Sequence, residues 1–245
     1  MSVVHDNFAV KPIAVVRNCF REKFGVPRQG GLVQSAVGEI VLLPPFNRRE
    51  WLDGLEQCTH IWVLFWFHLV DASRSKSSVR PPRIGGNERM GVFATRSMFR
   101  PNPIGLSALE LCDISETNQE LVLKVRGADM VDGIPVIDIK PYVPYCDAIE
   151  HARCQWAMQP PQTIGVEFEP AVEEKIRRLG EQRQLPLAAV IVETLAQDPR
   201  PAFHREQPQR IYGALLWDWD VQWIYDANAL GEIVARVVSI EEQSR

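Results

Sequence analysis

GVFATRSMFRPNPIGL, residues 91–106, is the stretch from which the rest of the chain can be read. It sets Arg96 and Arg100 among apolar neighbours, with Pro101 and Pro103 two positions apart. Proline fixes its own φ and pushes the preceding residue out of helical conformation, so residues 100–103 are expected to be extended and stiff. Gly91 and Gly105 bracket the segment and permit turns or close approach of a ligand. A rigid, non-helical segment carrying guanidinium groups suits an anionic or carboxylate-bearing ligand. It equally suits a proline-stiffened edge strand whose arginines are only solvated, and the residue chemistry leaves both readings open.

Working outward, short apolar runs alternate with turn residues. Residues 8–17 read as a strand, with Pro12 marking an edge position. Residues 36–43 read as a second strand, stopped by Pro44 and Pro45, and residues 47–57 as a short helix capped by Asn47 with Trp51 and Leu55 on one face. The run IWVLFWFHLV, residues 61–70, is continuously apolar and hence a central strand; it is too short to span a bilayer. Residues 71–87, rich in Ser, Arg, Pro and Gly, read as a mobile loop. Residues 91–95 form a short strand, residues 106–114 and 121–125 a hairpin turning at 115–119, and residues 136–140 alternate again. Six or seven short strands with turn signals predict a barrel or closed sheet. No GxGxxG follows a strand and opens a helix, which argues against a Rossmann-type cofactor site.

After about residue 160 the pattern changes. Pro160 and Pro161 suggest a linker, Pro170 opens an amphipathic helix bearing Val172, Ile176 and Leu179, and Pro186 opens a second bearing Val190, Ile191 and Leu195. Strands at 211–217, 221–225 and 233–240 follow. The predicted fold is mainly β with an α+β appendage: a barrel over residues 1–158 and a small α+β domain over residues 162–245.

The 245 residues, 46% hydrophobic and 24% charged, have the composition of a soluble globular protein. His5, Asp6, Lys11 and Arg17 interrupt any apolar signal core near the N-terminus. Five scattered cysteines, with no CxxC, indicate neither a disulfide framework nor a zinc ribbon and fit a reducing cytoplasm. Cys146, His151 and Cys154 lie close in sequence but match no common zinc spacing, so no metal is expected. The net charge of −4 does not advertise a nucleic-acid binder, yet positive charge is concentrated in residues 17–28 and 71–110, where it could form a local phosphate-binding face.

Three motifs in order, GVFATRSMFRPNPIGLS, DGIPVIDIKPYVPYCD (residues 132–147) and QDPRPAF (residues 197–203), resemble the TrmO family, also called TsaA-like or YaeB-like. The resemblance implies a non-Rossmann β-barrel, a homodimer, and an S-adenosylmethionine-dependent tRNA methyltransferase. It implies a substrate adenosine just 3′ of the anticodon, position 37, methylated on N6 after threonylcarbamoylation. Carried over residue by residue, the cofactor site takes Pro27, Arg28 and Gln29 of the PRQ loop, Phe67 and His68 at a strand end, Arg96, Leu106, and the turn Asp132, Gly133, Ile134 and Pro135. Gly30 stands where the family commonly has proline after PRQ, and Met98 occupies a position that varies.

Methyl transfer from a sulfonium requires alignment above all, and positioning can supply about 7–11 kcal/mol of the barrier in well-oriented systems. Arg96 is the candidate partner of the cofactor carboxylate, and backbone groups around Gly133 are candidates for adenine edges. No general base is identified by the sequence. Asp138 is a weak catalytic candidate and otherwise a structural partner of Lys140; Tyr142 is a second weak candidate that either stacks on a base, together with Tyr145, or packs. The 198–201 turn is either a fold lock near the site or an RNA contact. The alternatives to a tRNA methyltransferase are a non-catalytic RNA- or small-ligand-binding barrel and a small-molecule methyltransferase.

Overall fold

The computed structural model describes residues 8–81, 88–117, 120–201 and 210–243. Six strands close a barrel: β1 (Ala14–Arg17), β2 (Val37–Leu42), β3 (His60–Trp66), β6 (Ile104–Thr117), β7 (Glu120–Arg126) and β8 (Pro135–Pro141), in the order β1-β2-β7-β6-β3-β8. Every pairing around it is antiparallel. A two-stranded ribbon, β4 (Ser78–Val79) with β5 (Met90–Gly91), stands apart from it.

Alternation decides which side chains fill the barrel. Ile61, Val63 and Phe65 of β3 are buried inside, while Trp62, Leu64 and Trp66 lie on the outer face. On β6, Gly105, Ser107 and Leu109 point inward and Ile104 and Leu106 outward. Gly105 is required by packing, because a Cβ there would lie 2.2 Å from the buried Phe65 ring. β7 ends at Arg126, opposite Glu110, so the continuation of β6 through Leu106 has no strand on that side. The 27–31 loop covers the vacated edge: a Cβ on Gly30 would sit 3.4 Å from the Ala108 carbonyl and 3.5 Å from that of Gly127.

After the short helix α1 (Pro144–Asp147), the second unit is a four-stranded sheet, β10 (Tyr212–Leu216), β11 (Trp219–Ala227), β12 (Ile233–Glu242) and β9 (Gly165–Phe168), with α2 (Pro170–Arg183) and α3 (Leu187–Ala196) packed on it. β9 runs parallel to β12 and was not foreseen, since four residues without a buried alternation give too weak a pattern. The core of this unit is completed from the front of the chain: Cys19, Phe20, Val33 and Ala36 are buried among α3 and the sheet, and Val26 touches both cores.

Four local expectations change. The helix expected over residues 47–57 is two 3-10 turns, Arg49–Trp51 and Leu55–Gln57, interrupted by Gly54 at φ 88°, and Trp51 is exposed. β3 stops at Trp66, where the His68 N–H turns back to the Trp66 carbonyl at 2.7 Å. The 91–95 strand is only the end of β5, followed by a 3-10 turn at Val92–Ala94. The 71–87 stretch is partly ordered, carrying a 3-10 turn at Ala72–Arg74 and β4; residues 82–87 of it lie outside the described residues, as do parts of the 115–119 turn and of the QDPRPAF motif.

Candidate functional site

The two arginines of the opening motif do different work. The Arg100 guanidinium folds back and donates to the carbonyls of Thr95 and Ser97 at 3.1 and 3.3 Å, fixing its own loop. Arg96 is exposed and donates through Nη1 to Gln29 Oε1 at 2.7 Å; its other N–H groups have no partner among the described residues. A guanidinium held on one edge and open on the other is suited to a carboxylate.

The carried-over residues sit on four separate segments, and residues 18–31 stitch them together. Asp132 accepts from the Asn18 N–H at 2.9 Å and forms an ion pair with Arg21, while its own N–H donates to the Phe20 carbonyl at 2.7 Å. Asp132 therefore anchors its turn. Gly133, at φ 78° and bonded through its N–H to Val16, faces open space in which even a Cβ would meet nothing within 4 Å. Lys23 Nζ reaches the Leu69 carbonyl beside His68. Partial burial, and then the charge of Lys23, hold the His68 imidazole below its usual pKa. The Phe67 N–H donates to Pro103 at 2.8 Å, and Gln29 holds Arg96. Leu106 is exposed on the outer face, paired with Leu64. Ile134 is buried and Pro135 begins β8, so within this turn Gly133 is the exposed member.

Arg28 departs from the group. Its guanidinium donates to the Asp198 carbonyl at 3.2 Å, on the turn of the third motif. That turn is locked by a buried ion pair between Asp198 and Arg200 at 2.9 Å, with the Arg200 guanidinium 3.9 Å above the Tyr225 ring. Pro27 precedes it in the same loop.

A residue the sequence reading missed lies at the centre. Asp129, half-buried, accepts from the Ser107 hydroxyl at 2.6 Å and from the backbone of Gly30. Packing around its carboxyl raises its pKa, against the opposing pull of these hydrogen bonds and of the nearby Arg96. The available signal was an acid three residues beyond the largely apolar LVLKVR run, where an uncompensated carboxylate is unfavourable.

The weak catalytic candidates lie elsewhere. Asp138 pairs with Lys140 at 2.8 Å on the outer face, across Leu64 from Leu106. Tyr142 packs 5.4 Å from the Trp62 ring, whose Nε1 donates to Asp147 at 2.9 Å; Tyr145 is exposed. The basic segment 17–28 is largely neutralised within the chain: Arg17 by Glu120 and Glu39, Arg21 by Asp132. Arg74, Lys76 and Arg80 remain on the surface.

The tRNA-methyltransferase O N-terminal domain matches residues 15–148, and the TrmO C-terminal domain matches residues 161–243. The chain belongs to the TrmO family. Among TrmO relatives, a protein of Escherichia coli strain K12 named tRNA (adenine(37)-N6)-methyltransferase is 45% identical over 220 residues, covering 89% of this chain and 93% of its own. A putative S-adenosylmethionine-dependent methyltransferase of Pseudomonas aeruginosa is 47% identical over 217 residues, 89% of this chain and 92% of its own. A crystal structure of TrmO from Pseudomonas aeruginosa superimposes with a TM-score of 0.77 at 40% identity, covering 96% of this chain and 98% of that one. The barrel with its α+β appendage is thus the TrmO fold.

Proposed function

We propose that this TrmO protein transfers the methyl group of S-adenosylmethionine to N6 of adenosine 37 in tRNA, on a base that already carries the threonylcarbamoyl group. Family membership and the names of its relatives support the reaction, and one observation supports the site: Gln29 and Arg96, carried over from separate motifs, are bonded to each other, with the next residue, Gly30, packed against Ser107 and Ala108 of β6. The residues fit the cofactor. Arg96 has N–H groups open for a carboxylate, Leu106 offers exposed apolar surface, and the space in front of Gly133 admits a ligand against bare backbone.

When bound, S-adenosylmethionine supplies an electrophilic methyl group on a sulfonium. The chain's contribution is placement. Arg96 binds the carboxylate and Gln29 fixes the guanidinium plane. Phe67 and Leu106 exclude water, and the turn anchored by Asp132 presents backbone groups to the adenine. Such alignment is the main source of rate in a displacement that needs no covalent intermediate. The target base lies in a loop, so exposing it costs less than extrusion from a duplex.

The enzyme acts in the cytoplasm as a homodimer in this reading. Trp62, Leu64 and Trp66 line the outer barrel face with the exposed Ile104 and Leu106, an apolar stripe of the kind that a second copy covers. Mass spectrometry of tRNA nucleosides from a strain lacking this protein tests the function: loss of the N6-methylated, threonylcarbamoylated adenosine is expected, and an unchanged nucleoside profile overturns it. Light scattering that gives a 27.8 kDa monomer at micromolar concentration overturns the dimer.

A further inference from the structure

The stretch from Asn18 to Ala36 belongs to neither unit alone. Its first part lies along the β10–β11 hairpin. Phe20 bridges Leu216, the Trp217 N–H donates to the Cys19 carbonyl at 2.7 Å, the Arg21 N–H donates to Leu215 at 3.2 Å, and the Leu215 N–H donates to the Glu22 carboxylate at 3.0 Å. Its last part is fixed to α3: Ser35 donates both its N–H and its hydroxyl to the Glu193 carboxylate, at 2.8 and 2.6 Å. Between these clamps Arg28 holds the Asp198 turn, and only then does the loop cross the barrel edge to put Gln29 against Arg96 and Gly30 over Asp129.

We infer that the C-terminal unit is part of the cofactor site, with Glu193 and the locked Asp198–Arg200 turn as positioning residues that hold the 27–29 loop against Arg96. The inference rests on the methyltransferase reading above. Its physical basis is a population argument. Nine residues run from Pro27, at the start of the PRQ loop, to Ser35, and two of them, Gly30 and Gly31, have no side chain to pack. Gly30 and Gly31 are the least restricted positions in the segment, so a loop released at Ser35 gains many conformations. The observed affinity is the intrinsic affinity multiplied by the fraction of time that the loop is gripped, even though neither Glu193 nor Asp198 reaches the reacting atoms. The side chains of the C-terminal unit thus set how much of the protein is ready for cofactor.

The test is steady-state methylation of tRNA and calorimetric binding of S-adenosylmethionine by the full chain, comparing Ser35→Ala, Glu193→Gln and Glu193→Ala. The expected result is a rise in KM and Kd for S-adenosylmethionine, graded from a few-fold for Ser35→Ala to about ten-fold or more for Glu193→Ala, with kcat at saturating cofactor unchanged. Glu193→Gln retains a carbonyl acceptor and recovers part of the affinity. A purely structural role predicts the opposite split: a lower Tm and a lower active fraction, with KM unmoved. Unchanged KM in folded Glu193→Ala overturns the inference, and unchanged KM in Ser35→Ala does so if Glu193→Ala fails to fold. Failure of the unmodified chain to bind S-adenosylmethionine overturns the methyltransferase reading itself, and this inference with it.

Discussion

Gln29 Oε1 accepts a hydrogen bond from the Arg96 guanidinium at 2.7 Å, joining two residues 67 positions apart in the chain. The bond orients a cation without neutralising it, because the amide carries no charge. Arg96→Ala is expected to weaken S-adenosylmethionine binding by roughly ten- to a hundred-fold, from loss of a charge-assisted hydrogen bond worth about 1.5–3 kcal/mol. Gln29→Ala should cost less, and the double variant should cost less than the sum of the two, since Gln29 acts through Arg96. Calorimetry on the folded variants decides the matter; strict additivity would show that the two side chains act independently.

Gly105 lies against the ring of Phe65 inside the barrel, so Gly105→Ala forces that ring or its strand to move. With a contact of 2.2 Å to a fully buried side chain, overpacking should destabilise the protein by about 1–3 kcal/mol or more. Thermal unfolding should show a lowered Tm. An unchanged Tm would mean that the interior has slack beneath the PNPIG motif.

Asp129 titrates against its own burial. Its pKa is raised on folding, so the native state holds a proton that the unfolded chain has already released. The stability that this group contributes is therefore fully present below the ordinary carboxylate pKa and lost as pH rises through the raised value. Asp129→Asn removes this titration. Relative to the unmodified chain, the variant should lose less stability as pH rises from 3 to 7, a range about the ordinary carboxylate pKa. Parallel pH–stability curves for the two proteins would contradict the assignment.

Arg74, Lys76 and Arg80 are exposed in the second basic segment, Arg74 3.8 Å from Asp71 and Lys76 4.9 Å over the Phe99 ring. Replacing all three by glutamine should weaken tRNA binding and flatten its dependence on salt, each lost phosphate contact reducing the log–log slope by about 0.7–0.9. Affinity for S-adenosylmethionine should stay the same. An unchanged slope would mean that these cations face only solvent.

Cys19 is buried beneath the β10–β11 hairpin, and burial pushes its thiol pKa up to about 12. Cys112, Cys146 and Cys154 are exposed. An alkylating reagent at mildly alkaline pH should modify those three in the native protein and reach Cys19 only as the two units part, so its rate reports that opening. Labelling of Cys19 as fast as that of Cys146 would show that the hairpin is not seated on the 18–21 segment.

The sequence by itself determined the closed sheet, the change of class after residue 160 and the family, because alternation, turn residues and long motifs are local properties. β6 and β8 contain the strands that alternation predicted, and both C-terminal helices begin close to the prolines that announced them. The short helix at 47–57 failed because Gly54 adopts a left-handed conformation that its neighbours in sequence do not reveal. What only the tertiary structure decided is which charges are used up within the chain. Arg96 and Arg100 look alike in the motif, yet one faces solvent and the other binds its own loop; Arg28 and Gln29 are adjacent, yet one reaches Asp198 and the other Arg96. Asp129 and Glu193 stand in no motif and became legible only when folding placed Ser107 and Ser35 beside them. A hydrogen bond acts over about 3 Å, whereas these partners lie many residues apart in the chain, so the choice among many possible pairings was made by the barrel closure and by the docking of the second unit.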